Sequence, residues 1–237
     1  MRFEWATRSD IGRVRDHNED SVWPTTDGAT EDTVVLAVAD GMGGHAGGEV
    51  ASSIALDTAM AVGGEPIMRV QAANLAVVDA ARLQPRLSGM GTTLTLALLD
   101  PDGDLDIGHV GDSRAYLLRD GTLEQITRDH SYVADLIEAG KLTPKQAESH
   151  PYRSVLTRAI GLDSAVEVDS YAVVLQSGDR VLLCSDGVTA MISDGDVAEI
   201  LGISESSPAT AADALVDAAN EAGGVDNITV IVADITE

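Results

Sequence analysis

The chain has 237 residues, with 39 acidic against 15 basic side chains and a formal net charge of −24. Nucleic acids and anionic membrane surfaces repel a protein this acidic, so neither is expected as its main partner. The length allows a substantial core, and we predict one domain over residues 1–237.

The single cysteine, Cys184, allows no disulfide within the chain, which is typical of a reducing compartment. It lies in an apolar run with no basic neighbour in sequence, so we predict a buried structural thiol and not a nucleophile. No signal-peptide pattern and no apolar run of roughly 20 residues is visible. We therefore expect a cytoplasmic monomer that does not use a membrane.

Strand-like runs dominate the pattern. The first clear run, 33–39, is β-branched and almost wholly apolar, as expected of a strand that is buried on both faces. Further predicted strands follow in chain order at 92–99, 105–110, 115–118, 166–175, 180–183 and 228–233.

Helical spacing of apolar residues predicts helices over 49–62 and 66–83. Near the C-terminus, Ser193 or Asp194 is the predicted N-cap of a helix over 197–201, and Ser207 with Pro208 opens another that runs to residue 222. The least regular segment, 127–161, is predicted to be a mobile flap.

The order of these elements indicates the fold class. Consecutive strands joined by short turns, such as 101–103 and 119–121, predict antiparallel hairpins. The helices arrive in pairs, which favours layers packed outside the sheets over alternating βαβ units. We therefore predict an α+β domain.

Aspartates stand at the ends of several predicted strands. Asp40, Asp112 and Asp186 follow such runs, and Asp226 stands just before the last one. Several carboxylates can share one end of a sheet only if cations neutralise them. All-oxygen ligands favour the hard ions Mg²⁺ or Mn²⁺ over zinc.

The alternative is ordinary turn chemistry, because Asp-Gly pairs are common in turns. Asp102 and Asp120 lie between polar hairpin ends, and for them we prefer the turn. Asp40 and Asp186 instead follow fully apolar strands directly, where an unpaired charge is costly.

Two further segments carry weaker signals. The charged cluster 15–20 is typical of a solvated turn, yet it begins with Arg15, whose guanidinium suits phosphate oxygens, and ends with Glu19 and Asp20. The glycine-rich loop 41–48 suggests either a phosphate cradle or a close approach of the backbone to a metal, with the Gly41 carbonyl as a ligand.

Taken together, the motifs resemble those of the type 2C metal-dependent serine/threonine protein phosphatases, in their bacterial form. The resemblance extends from about residue 5 to residue 234. The matching segments occur in family order: Arg15 with Glu19-Asp20, Asp40-Gly41-Met42-Gly43-Gly44, Gly91-Thr92-Thr93, Gly111-Asp112-Ser113-Arg114, Asp129-His130-Ser131, Ser185-Asp186-Gly187 and Asp226-Asn227-Ile228-Thr229.

The resemblance implies a four-layer αββα sandwich of two antiparallel sheets flanked by helix pairs. It also implies two core Mn²⁺ or Mg²⁺ ions and a third, held at one end of the sandwich. The roles that it implies are these: Asp40 bridges two ions, Gly41 offers its carbonyl, Asp186 and Asp226 bind metal, Glu19 and Asp20 act through metal-bound water, Asp112 with Asp186 forms the third site, Ser154 adds a carbonyl there, and Arg15 grips the substrate phosphate.

Met42 departs from the animal members of the family, which carry a histidine directly after the Asp-Gly pair as the proposed general acid. His45 lies three residues further on, and we interpret it as a helix-entry residue. The resemblance therefore implies that the leaving group takes its proton from metal-bound water.

The implied activity is hydrolysis of phosphoserine and phosphothreonine in proteins by a metal-activated bridging water, without a phosphoenzyme. The implied partners are phosphorylated proteins, the substrates of Ser/Thr kinases. Two other classes stay open: a catalytically weak relative that binds phosphoproteins, and a glycine-rich nucleotide-binding domain. The second would need a Walker-type lysine or a dinucleotide fingerprint, and the loop 41–48 has neither.

Overall fold

The computed structural model describes residues 1–43, 47–203 and 206–237. Twelve strands lie in these parts of the chain: β1 Arg2–Asp10, β2 Asp20–Trp23, β3 Gly28–Thr30, β4 Val34–Met42, β5 Gly91–Thr92, β6 Leu94–Leu99, β7 Asp104–Val110, β8 Arg114–Arg119, β9 Thr122–Gln125, β10 Asp169–Val174, β11 Arg180–Cys184 and β12 Ile228–Thr236. The α-helices there are α1 Gly47–Ala61, α2 Pro66–Leu83, α3 Tyr132–Glu138, α4 Pro144–Glu148, α5 Asp186–Thr189, α6 Asp194–Leu201 and α7 Pro208–Glu221.

The strands form two antiparallel sheets. The first sheet has the order β3-β1-β12-β11-β8-β9, and the second has β10-β7-β6-β4-β2 with β5 paired to β4. The β8–β9 hairpin of the first sheet has a tight turn, in which Asp120 has φ 51° and Gly121 has φ 75°. Positive φ at both central residues matches the right-handed twist of the strands, so this Asp-Gly pair is a turn, as predicted.

Three apolar layers hold four structural layers together. Leu36, Val38, Leu183 and Ile231 belong to the core between the two sheets. Helices α1 and α2 cover the outer face of the second sheet, and α6 and α7 cover that of the first. The predicted αββα sandwich is therefore confirmed.

Most of the predicted elements are present with small differences in their bounds. The predicted strand 92–99 is interrupted at Thr93, whose hydroxyl accepts a hydrogen bond from the Asp40 N–H. The predicted strand 166–175 is shortened to β10. Strand β1 is the main element that the patterning does not predict. Its charged residues break the regular alternation of apolar and polar side chains that is typical of a strand, although Phe3 and Ala6 are fully buried.

Helices α6 and α7 begin at serine N-caps. Ser193, and not Asp194, caps α6, and its hydroxyl accepts from the backbone N–H of Asp196. Ser207 caps α7 with Pro208 in the first turn, as predicted. Cys184 is fully buried in β11, and burial raises the pKa of its thiol to about 12, which agrees with an inert structural role.

The segment 127–161 contains α3 and α4 with irregular connections, and its mobility stays a prediction. Two bridges fasten its ends: Ser131 pairs with Leu156, and Thr92 pairs with Ile160. In the part of the chain that the structure describes, no helix is long and apolar enough to cross a membrane.

Candidate active site

One end of the sandwich opens into a cleft of about 730 Å³. Its lining contains every predicted site residue except Asp20, and these are Arg15, Glu19, Asp40, Gly41, Asp112, Ser154, Asp186 and Asp226. Asp20 lies beside the cleft, because β2 and β4 pair with Asp20 directly opposite Asp40. The predicted carboxylates, distant in sequence, therefore gather at one end of the two sheets.

Asp40 is held by its own backbone at the end of β4. Its N–H donates to the Thr93 hydroxyl at 2.9 Å, and its carbonyl accepts from the Thr92 hydroxyl at 2.8 Å and from the Thr93 N–H at 2.9 Å. Both threonines are buried. The sequence pattern assigned no role to these threonines. Buried polar side chains need hydrogen-bond partners, and here the partner is the Asp40 backbone.

Gly41 allows two segments of chain to come together beside Asp40. A side chain at this position would collide with the carbonyl oxygens of Gly48 and Glu19. The Gly41 N–H donates to the Glu19 carbonyl at 3.1 Å. This glycine serves a close backbone approach at the cleft, whereas His45 and the rest of 44–46 lie outside the described residues.

The gathered carboxylates disfavour one another's charge. Burial, reinforced by Asp186 and Asp226, raises the pKa of Asp20 to about 7. Burial and the charge of Asp20 raise the pKa of Asp40 well above its usual value. Burial and Asp186 do the same to the pKa of Asp112.

The two remaining acids with shifted values follow the same rule. Burial first, then the charge of Asp226, raises the pKa of Asp186, which lines the cleft together with Asp40. Burial also raises the pKa of Glu19, against the opposing effect of Arg15. The carboxylates of this cluster, when ionised, carry more negative charge than the neighbouring side chains balance.

Cationic side chains do not supply that balance. Arg15 is the only Arg or Lys of the described residues in the lining, and it donates to Asp226 at 2.7 Å. Arg114, two residues after Asp112 in sequence, already binds Asp129 through a bidentate pair at 2.8–2.9 Å. A bound cation would neutralise the cluster while its carboxylates stay deprotonated.

One buried atom points to the same conclusion. Asp20 Oδ2 accepts from the Ser185 hydroxyl at 2.8 Å, but Asp20 Oδ1 is buried and has no hydrogen-bond partner. A buried carboxylate oxygen with no donor costs free energy unless a ligand satisfies it. Oxygen ligands of this kind suit Mg²⁺ or Mn²⁺.

Within residues 1–43, 47–203 and 206–237, no three His, Cys, Asp or Glu side chains converge as a ready-made metal cage. The acidic side chains of the cleft lining offer oxygen ligands. Such ligands suit hard ions that keep several of their own waters and take one or two carboxylates each. The residues present therefore fit the hard ions that the sequence predicts.

Asn227 fixes the loop that carries Arg15 and Glu19. Its amide nitrogen donates to the carbonyls of Ile11 and His17, at 3.0 and 2.9 Å, and its amide oxygen accepts from the Glu19 N–H at 2.8 Å. All three bonds cross from the start of β12 to residues 11–19. The charged cluster 15–20 is thus a positioned wall of the cleft and more than a solvated turn.

His130 fixes the loop that carries Asp112. The backbone of His130 donates to the Gly111 carbonyl at 2.7 Å, and the Gly111 N–H donates to His130 Nδ1 at 3.0 Å. Gly111 has φ +115°, a backbone conformation that side chains rarely adopt. His130 Nε2 faces Asp169 at 3.2 Å, so the ring is held from both sides. The sequence motif contained His130 without indicating this use.

Two predicted residues have less definite positions in this arrangement. Ser154 lines the cleft on its flap side, and its carbonyl as a ligand stays a prediction. Met42, directly after the Asp40-Gly41 pair, also lines the cleft and offers no proton.

Comparison with known proteins agrees with this geometry. The family profile described as protein phosphatase 2C matches residues 13–217. The chain is 44% identical over 244 residues to the serine/threonine protein phosphatase PstP of Mycobacterium tuberculosis, covering 99% of this chain. It spans only 45% of the length of that relative. It is also 39% identical to the serine/threonine phosphatase stp of Listeria monocytogenes, covering 96% of this chain and 94% of the relative.

Solved structures show the same likeness. The crystal structure of M. tuberculosis PstP superposes with a TM-score of 0.90 at 42% identity, and each chain is covered completely. The catalytic domain of PstP in complex with two manganese ions gives a TM-score of 0.87 at 41% identity, covering 100% of this chain and 99% of that one. With the fold, the cleft and the ordered motifs, these matches establish that the chain belongs to the protein phosphatase 2C family of metal-dependent phosphatases.

Proposed function

We propose that this chain hydrolyses phosphoserine and phosphothreonine in proteins, with Mn²⁺ or Mg²⁺ bound in the cleft. The observation that carries the proposal is the gathering of Asp20, Asp40, Asp112 and Asp186 at one end of the sheets, where Asp20 Oδ1 is buried without a hydrogen-bond partner. Its relatives' names, serine/threonine phosphatase, support the substrate class.

In this proposal the cluster is the cation site. Asp40 stands opposite Asp20 in the β2–β4 pair and lines the cleft with Asp186, and it is the candidate for bridging two ions, with the Gly41 carbonyl beside it. Asp186 and Asp226 would hold one ion, Glu19 and Asp20 would act through water, and Asp112 with Asp186 would form a third site to which Ser154 adds its carbonyl. When bound, two such cations lower the pKa of a shared water and so supply hydroxide near neutral pH.

Arg15 is the candidate for binding the substrate phosphate. Its side chain is half exposed at the cleft, and one of its nitrogens donates to Asp226. The guanidinium has further N–H donors, so it can bind phosphate oxygens while it keeps that bond. Asp226 thereby orients Arg15 toward the phosphate, and Arg15 stabilises charge on the equatorial oxygens as the bond to the leaving oxygen breaks.

The leaving serine or threonine oxygen must gain a proton. Met42 stands where a donor side chain would be, and it has no exchangeable proton. We infer that the proton comes from water in the cleft, which is open to solvent. Cys184 is buried within β11 and takes no part. In the proposed reaction water attacks the phosphate directly, without a phosphoenzyme.

The test is hydrolysis of a phosphothreonine peptide with the metal as the variable. We expect turnover with Mn²⁺ or Mg²⁺, loss of turnover in EDTA, and recovery on adding metal, with no nucleotide present. Tight binding of the phosphopeptide without release of phosphate at saturating metal would instead identify a phosphoprotein-binding relative. Tight binding of ATP without peptide hydrolysis would identify a nucleotide-binding protein.

The cellular setting is also part of the proposal. We infer that the substrates are proteins phosphorylated by Ser/Thr kinases, and that the chain acts as a monomer in the cytoplasm. A lone buried cysteine supports a reducing compartment. A phosphoproteome compared with and without the gene would identify the substrates, and sedimentation velocity would test the monomer.

A further inference from the structure

A second, smaller cavity adjoins the catalytic cleft. It has a volume of about 130 Å³, and Leu156 and Leu162 line both this cavity and the cleft. At roughly 30 Å³ for each water in the liquid, the space equals about four waters, which suits one long side chain. Because the same two leucines line both cavities, a ligand in the cleft lies within side-chain reach of the second cavity.

The walls of this cavity are fixed by bonds to buried parts of the fold. The Gly161 N–H donates to the side-chain oxygen of the buried Asn74 at 2.8 Å. The side-chain nitrogen of Asn74 donates to the Asp163 carbonyl at 2.9 Å. Ile160 exchanges two backbone hydrogen bonds with Thr92, at 2.9 and 3.1 Å, next to the backbone that holds Asp40. A cavity built this way exists before a ligand arrives, which lowers the entropic cost of binding.

The lining combines apolar walls with acidic groups. Leu156, Leu162 and Val166 supply apolar surface, while Asp163 and Glu167 supply carboxylates. The one basic group, Arg158, is already paired with Asp169 at 2.5 Å and lies 3.5 Å from Glu167. The two carboxylates of the lining outnumber its one guanidinium, and Asp169 already pairs with that guanidinium, so the lining has a net negative charge.

We propose that this cavity, which we call the side pocket, is a substrate subsite for an arginine or lysine two residues from the phosphorylated residue. The proposal rests on the function proposed above. An extended peptide places residues i and i+2 on the same side about 7 Å apart, so a residue two positions from the one in the cleft is placed to enter a cavity that shares Leu156 and Leu162 with it. A long basic side chain lays its methylenes on Leu156 and Leu162 and presents its cation to Asp163 and Glu167.

The chemistry of the lining selects this occupant over the others. An aliphatic side chain would use the leucines and leave the carboxylates unused, and an acidic one would face like charges. The net charge of −24 also attracts basic substrates to the molecule as a whole, so an experiment must separate this pocket from the general field.

The experiment uses phosphothreonine peptides that differ only by Arg, Leu, Ala or Glu, placed two residues before or after the phosphothreonine. With Mn²⁺ present, we expect the Arg peptide to exceed the Ala peptide in kcat/KM by roughly two- to fivefold at one of the two positions, the range of exposed ion pairs. The double variant D163N/E167Q removes both carboxylates of the side pocket and should abolish that preference while it leaves hydrolysis of the Ala peptide unchanged.

The matched control is D217N/E221Q, which makes the same change in charge on exposed positions of α7, a helix packed on the other sheet. It should keep the preference for Arg. Equal loss in both double variants, or a wild-type preference for Leu, would overturn the proposal.

Fluorescence anisotropy of the same peptides in EDTA provides a reading that does not depend on turnover. The Arg peptide should bind wild type more tightly than it binds D163N/E167Q. If all peptides resist hydrolysis but this difference remains, the proposed phosphatase function fails and the subsite stands. If all peptides are hydrolysed equally and bound equally, the subsite fails and the phosphatase function stands.

Discussion

Aspartates stand at both ends of the sandwich, and their surroundings differ. At the cleft end, Asp20, Asp40 and Asp186 face one another with raised pKa values. At the far end, Asp179 binds Arg119 at 2.6–2.8 Å, and Asp234 binds Arg180. The far end balances its charges within the protein, whereas the cleft end leaves them to be balanced from outside.

The far end also contains the turn aspartates. Asp100 accepts from the Thr33 hydroxyl at 2.9 Å and from the Asp102 N–H at 3.0 Å, and so closes the hairpin between β6 and β7. Position at a strand end is common to both sets. What separates a binding carboxylate from a structural one is whether a donor inside the protein already satisfies it.

The largest effect should come from Asp40→Asn. Replacing the carboxylate by an amide removes a negative charge from the centre of the proposed cation site, so we expect kcat to fall by on the order of 10³-fold or more. Steady-state hydrolysis of an aryl phosphate at saturating Mn²⁺ measures it. Asp102→Asn makes the same change at the far end and should retain wild-type kcat. Retained activity in Asp40→Asn would remove the bridging role.

Stability should respond in the opposite sense at the two ends. Asp179→Asn removes the charged partner of Arg119 from a buried position, which should cost about 2 kcal/mol and lower Tm by roughly 4–8 °C for a domain of this size. Asp40→Asn in EDTA removes a repelling charge and should raise Tm. Differential scanning fluorimetry of both variants in EDTA measures this contrast. A fall in Tm for both would show that the cleft carboxylates are structurally paired.

Arg15→Ala should have a smaller effect, because Arg15 lies half exposed at the rim of the cleft. Loss of a charged donor to the phosphate should raise KM by about tenfold, and kcat should change less. Michaelis kinetics on a phosphothreonine peptide separate the two constants. Arg13→Ala is the matched control, since Arg13 is exposed on the same loop and is absent from the cleft lining. An unchanged KM would remove Arg15 from substrate binding.

The sequence predicted the layers and the gathered carboxylates well, because apolar strands and ordered motifs carry that information directly. It did not predict β1, whose charged residues conceal a strand with a buried Phe3. It also gave no role to Thr93, Asn227 or His130. Each acts by binding backbone groups of a distant segment, and such contacts depend on the register of the sheets and on loop positions that no local pattern encodes.

The last effect is the pH dependence of stability without metal. Burial and the neighbouring acids raise the pKa of Asp20 from 3.8 to about 7 in the folded protein. The folded state therefore holds this proton more tightly than the unfolded state. Stability in EDTA should then fall as pH rises from about 4 to about 7. Thermal melts of wild type and Asp20→Asn across this range measure the contribution as their difference.

Mn²⁺ should reverse that dependence, because the ion binds the deprotonated carboxylates and its stabilisation grows with pH. The Tm curves with Mn²⁺ and with EDTA should therefore separate progressively above about pH 5. At the far end, where arginines satisfy the aspartates, Asp179→Asn should lower both curves without changing the gap between them. If the gap closes in Asp179→Asn as well, the two ends are coupled, and the contrast between internal and external charge balance is wrong.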